Sequence, residues 1–207
     1  MKSLTEYIHE KLVIKKNKTR YYKYFPKTKE ELRDIIKQRI ESQGNEVDLN
    51  DIDVSKITDM SALFSGLDFN GDISNWDVSN VTDMTSMFSG CDSFNSDISD
   101  WDVSSVTNME SMFWRCESFN QDISTWDVSD VRDMNAMFTF CESFNQDISS
   151  WDVSNVEDMS NMFAGCESFN QNISSWNVSN VTDIKDMFKN CPIDKKYKPK
   201  FKIKRNY

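Results

Sequence analysis

Recurring apolar side chains between Trp101 and Trp126 fall at Val103, Val106, Met109, Met112, Phe113, Cys116, Phe119 and Ile123, with polar residues and Trp114 filling the gaps. The order then repeats. Tryptophan recurs at 76, 101, 126, 151 and 176, and cysteine at 91, 116, 141, 166 and 191, so the unit is 25 residues long. A constant period of that size marks an array in which each unit packs mainly on its neighbours. Inside the unit the spacing changes. The Trp-Asp-Val alternation after Ile98 predicts a short strand. Val106, Met109, Met112, Phe113 and Cys116 step by three or four, which predicts a short helix. Ser105 or Thr107 would be its N-cap, and in two other units Gly90 and Gly165 would sit at its C-cap.

The pattern begins before its clearest copies. Leu49, Ile52, Val54, Ile57, Met60, Leu63 and Phe64 match it, with Leu67 in the cysteine place. This gives a repeat region of about six units over 46–191. The flanks differ. Thr28 and Glu31 form a capping box ahead of Leu32, Ile35, Ile36 and Ile40, with Gly44 beyond, predicting a helix. Ser3 to Ile14 predicts another helix and Thr19–Phe25 a strand, so 1–45 is expected to be a helical capping subdomain. The tail, 192–207, alternates from Lys200 to Lys204 and predicts an edge strand whose lysines oppose end-to-end growth.

The run Ile98-Ser-Asp-Trp-Asp-Val103-Ser-Ser-Val106 has the L-x-x-L-x-L spacing of leucine-rich repeats. The words DISSWDVSNVEDMSNMF (147–163) and CESFNQDIS (141–149) closely resemble the 25-residue repeat of BspA-like leucine-rich-repeat surface proteins, a repeat also found in mycoplasma lipoproteins. The resemblance implies an α/β fold: a right-handed β/α solenoid with a parallel sheet on one face, capped by the N-terminal helical part. It also implies a surface protein associated with adhesion. In leucine-rich repeats one turn position is usually Asn or Cys, but here it is Val81, Val106, Val131, Val156 and Val181. The task of bonding the turn backbone then falls to Asn95, Asn120, Asn145 and Asn170.

Charge divides the chain. The net charge is −10, yet residues 1–45 hold twelve Lys/Arg against six Asp/Glu, 46–194 five against twenty-eight, and 195–207 seven against none. An acidic middle argues against nucleic acid on the repeats, because phosphate neutralisation supplies that affinity. It favours a partner with a basic surface, or the basic ends folding back. No run reaches the length of a membrane span, and no signal peptide or anchor motif is visible. That predicts a cytoplasmic or phage- or virus-particle-associated protein, whereas the resemblance implies the cell surface.

Candidate chemistry is sparse. The cysteines lack C-x-x-C pairing and the single histidine, His9, lies outside the repeats, so no zinc site is expected. Buried thiols are the expected reading. No nucleophile–histidine pair or phosphate loop occurs, which predicts no catalytic residues, no cofactor and no enzyme. Strand alternation would aim Asp77, Asp102, Asp127 and Asp152 outward as an acidic ladder about 4.8 Å apart, whose repulsion calls for a counterion or a basic partner. Where the copies differ, Trp114, Arg115 and Phe140 fall at equivalent points of adjacent units. Tryptophan and arginine are the residue types that anchor interfaces. The expected function is a non-catalytic scaffold for protein or glycan recognition, of the adhesion type. The alternative is a self-assembling or virion-associated structural component that docks through its basic ends.

Overall fold

A computed structural model of the chain describes residues 21–201. The helix predicted from Thr28 is present as α1, Lys29–Gln43. Thr28 Oγ1 accepts from the Glu31 amide at 3.2 Å, and Gly44, at φ 89°, ends the helix by donating to the Ile40 carbonyl. The Glu31 carboxylate reaches one residue further than a capping box requires, accepting from the Lys27 amide at 2.7 Å. The helix expected over Ser3 to Ile14 lies outside the described residues. Of Thr19–Phe25, the described part makes one bridge, Tyr24 to Ile52.

The repeats do not form the right-handed β/α solenoid. Among the described residues α1 is the one α-helix, a single short 3-10 turn spans Lys195–Tyr197, and there is no strand. Pairing between units reduces to isolated parallel bridges at Asp59, Asp83, Asn108, Asp133, Asp158 and Asp183. The predicted helix from Val106 to Cys116 is instead two tight turns in succession. In the first, Met112 donates to the Met109 carbonyl at 3.2 Å; in the second, Cys116 donates to Phe113 at 2.9 Å. The third residue of each turn, Ser111 or Arg115, has φ of 53° or 58°. Positive φ there belongs to a type II turn and breaks a helix. The Trp-Asp-Val stretch likewise closes turns, Ile98 to Trp101 and Val103 to Val106.

Turns win because alternate amides have better partners elsewhere. Met84, Ser86, Phe88 and Gly90 donate to Asn108, Glu110, Met112 and Trp114 of the next unit at 2.7–3.0 Å, while Met87, Ser89 and Cys91 close turns within their own. With the Thr85 amide donating to the Asp83 carboxylate at 2.8 Å, every amide of this stretch is satisfied, and successive 25-residue coils stack in register. The expected caps of the lost helix serve the same stacking. Ser105 and Thr107 donate their hydroxyls to the carbonyls of Ser79 and Thr82, one coil back.

The tryptophans and cysteines hold coils together from inside. Trp101, Trp126, Trp151 and Trp176 donate their indole N–H to the carbonyls of Ile73, Ile98, Ile123 and Ile148 at 3.1–3.2 Å. The thiols of Cys91, Cys116, Cys141 and Cys166 donate to the carbonyls of Phe64, Phe88, Phe113 and Phe138. Two phenylalanine stacks run the length of the core. Phe88, Phe113, Phe138 and Phe163 stand 5.7 Å apart, and Phe94, Phe119, Phe144 and Phe169 stand 5.8–5.9 Å apart. The asparagines do bond the backbone as expected: Asn95, Asn120 and Asn145 accept from the amides of Asn120, Asn145 and Asn170 at 2.9–3.0 Å.

Helix α1 closes the first coil. Leu32 and Ile36 are buried against it. Arg33 donates to the carbonyls of Ala62, Leu63 and Ser65, and Lys29 bonds Asp59 and Ser61 at 2.7 Å. At the other end, Lys200 and Phe201 form no strand, and the rest of the predicted tail strand lies outside the described residues.

Candidate binding edge

Five of the six coils place a residue with positive φ directly before the cysteine: Gly90, Arg115, Phe140, Gly165 and Asn190, with Gly66 at the same point of the first coil. Glycine adopts this conformation without cost, while a side chain there is strained by about 1–2 kcal/mol. Arg115 and Phe140 occupy it at φ 58° in neighbouring coils. The pairing is direct, since Arg115 donates to the Thr139 carbonyl at 2.8 Å and Phe140 to Ala164 at 2.8 Å.

The two side chains meet over this row. The Arg115 guanidinium lies 4.6 Å from the Trp114 ring centroid and 5.7 Å from that of Phe140. Phe140 remains 42% exposed, and Arg115 is exposed. The Phe140 ring lies across Gly165, where a Cβ would stand 2.5 Å from its Cδ1. The structure sets Trp114, Arg115 and Phe140 side by side, and the sequence reading missed Gly165, which clears the space. The signal was available: glycine at 66, 90 and 165 marks the row as left-handed.

The four aspartates expected as an outward ladder on a strand lie in turns instead, since no strand forms among the described residues. Asp102, Asp127 and Asp152 are exposed, and Asp77 is half-buried. Their carboxylates, however, have a partner within their own turn. The amide two residues on, from Ser79, Ser104, Ser129 or Ser154, donates to the aspartate Oδ1 at 3.0–3.3 Å. The hydroxyls of Ser79, Ser104 and Ser129 add bonds of 2.6–2.7 Å. For Asp127 and Asp152 the serine hydroxyl and amide hold the carboxyl below its usual range, with Asp152 opposing weakly at Asp127. These aspartates lock turns first, and the serine two residues later was the sign of it.

A second acidic row escaped the sequence. Asp83, Asp133, Asp158 and Asp183 stack at the parallel bridges, with Asn108 between them. Burial, then the charges of Asp133, Asp158 and Asp83, push the adjacent Glu110 carboxyl up. Burial and Asp158 do the same to Asp133. Among the described residues no cluster of three or more His, Cys, Asp or Glu is arranged to hold a metal ion. The thiols are equally withdrawn, with burial pushing Cys91 up to about 12 and Cys116 and Cys141 well above the ordinary value.

A stack of turn-built coils with an interrupted face defines a repeat protein whose variable positions lie on its rim. The chain belongs to the family described as mycoplasma protein of unknown function, DUF285, which matches residues 31–141 and 120–202. No curated protein and no solved structure matches it. Among the described residues no helix is long and apolar enough to cross a membrane.

Proposed function

We propose that the protein is a non-catalytic recognition scaffold of the BspA-like, adhesion type, binding another protein through the Trp114–Arg115–Phe140 edge. The observation that carries this reading is the exposed cluster of Trp114, Arg115 and Phe140. Arg115 and Phe140 hold a left-handed conformation that glycine fills in neighbouring coils, and they meet around Trp114 in solvent. The left-handed backbone itself recurs in the turns of every coil, at Ala62, Ser86, Ser111, Ala136, Asn161 and Asp186, so what sets Arg115 and Phe140 apart is the size and exposure of their side chains. An arginine within cation–π reach of two aromatic rings presents an apolar surface with a cationic centre. Such a surface suits an aromatic or carboxylate-bearing side chain of a partner, and it is the composition typical of interface anchors. The rest of the surface supports a passive role, since the outward aspartates are engaged in turns and four of the five thiols are buried.

The test is the Trp114→Ala, Phe140→Ala double variant, measured against the parent in binding screens on protein and glycan arrays. Ligands retained by the parent should bind the variant at least tenfold more weakly, with the circular dichroism spectrum and melting behaviour preserved. Equal binding by a folded variant removes the edge from consideration.

A further inference from the structure

The two ends of the stack are finished differently. In each inner coil four alternate amides donate to the next coil; for the penultimate coil, Met159, Asn161, Phe163 and Gly165 donate to Asp183, Lys185, Met187 and Lys189 at 2.8–2.9 Å. At the first coil the acceptor side of this ladder is covered, because Arg33 takes the carbonyls of Leu63 and Ser65. The last coil has the donor side, the amides of Ile184, Asp186, Phe188 and Asn190. Among the described residues none of these four has an acceptor, although Met187, Lys189 and Cys191 between them close the usual turns. The segment 192–201 covers only the other half of this end, where Ile173 donates to the Tyr197 carbonyl at 3.0 Å.

Beside the open row lies a cleft of about 460 Å³, lined by Ile184, Met187, Phe188, Pro199 and Phe201, with Lys198, Lys189 and Asp186 among its walls, the last two 3.7 Å apart as an ion pair. Phe188 and Ile184, equivalents of fully buried side chains in the inner coils, are only partly covered. Lys198 Nζ lies 4.8 Å from the Phe188 ring centroid, with no carboxylate in ion-pair range among the described residues. Between 183 and 201 six lysines face three aspartates, the reverse of the acidic stack behind them.

Backbone donors on alternate residues, next to an apolar cleft, are satisfied by alternate carbonyls of a segment laid alongside, as they are between the inner coils. We infer that this end takes up an acidic segment of another protein, folded in the same successive turns and seated as a further coil would be along Ile184–Asn190. The ladder supplies main-chain bonds, the cleft takes an apolar side chain and the lysines select for acid. This site stands apart from the Trp114 edge and does not depend on it.

The probe is a synthetic peptide with the sequence of residues 155–169, NVEDMSNMFAGCESF, added to the full chain. In the stack this acidic segment already supplies the carbonyls of Asp158, Ser160, Met162 and Ala164 to the coil before it, at 2.8–3.0 Å. Amide hydrogen exchange read residue by residue should show Ile184, Asp186, Phe188 and Asn190 exchanging freely in the protein alone. Saturating peptide should slow them by at least tenfold, a scrambled peptide should not, and Lys198→Glu should weaken binding on the order of tenfold. The Trp114→Ala, Phe140→Ala variant should bind the peptide like the parent, which separates this site from the edge. The inference is overturned if the peptide fails to bind or binds without slowing those amides. It is equally overturned if they are already slow in the free protein, with sedimentation then showing whether the chain itself or a second copy covers the end.

Discussion

At position 165 the chain has a glycine for two separate reasons. Its φ is +72°, and a Cβ would meet the Phe140 ring at 2.5 Å. Gly90 shares the backbone conformation but has nothing nearer than 3.9 Å. The two sites therefore separate strain from crowding. Gly90→Ala should cost about 1–2 kcal/mol in urea unfolding, from the left-handed backbone alone. Gly165→Ala should cost more than that and should also displace the Phe140 ring, read as a shift of its side-chain resonances. Equal costs at the two positions would mean that Phe140 moves aside freely and is not held over the row.

The elements of the stack are turns, and that explains what was legible beforehand. Period, core positions and the capping helix follow from Trp101, Cys116, Thr28 and their counterparts, because burial and capping leave local traces. The turn geometry did not, since steps of three and four fit a helix face and a chain of type II turns equally well. What decides between them is the set of bonds from Met84, Ser86, Phe88 and Gly90 to a coil 24 residues on, and no local pattern records those. The Asp-x-Ser triplets at 97–99 and 102–104 were the readable hint, and both close on the aspartate. Stacking of turns also creates the crowding at Glu110, whose carboxyl is pushed up by burial and then by Asp133, Asp158 and Asp83. A carboxyl raised in the folded state holds its proton more readily there, so its penalty appears as pH rises through the folded value and is absent below the unfolded one. Glu110→Gln should therefore be more stable than the parent at pH 7, with the difference vanishing once pH falls below the usual carboxylate range. Urea titrations at pH 7 and pH 3.5 check it, and a constant difference would rule out charge as the cause.

Across the whole molecule, each coil bonds only the coils before and after it, so stability should behave as a chain of neighbour couplings rather than as one cooperative block. The first coil depends most on what lies outside the repeats. Its Leu63 and Ser65 carbonyls hold Arg33, where their counterparts Met87 and Ser89 hold the amides of Phe64 and Gly66 at 2.9 Å. One guanidinium thus replaces a missing coil. Removing it leaves those acceptors facing α1 with no donor, a loss of roughly 1.5–3 kcal/mol for charge-assisted bonds. In a single cooperative domain that loss would lower protection everywhere. In a neighbour-coupled stack, Arg33→Ala should speed amide exchange in the first coil, at Leu63, Phe64 and Leu67, and leave Met137, Phe138 and Cys141 three coils away at the parent rate. Uniform loss of protection would show that the core of stacked phenylalanines carries coupling further than the hydrogen-bond ladder does.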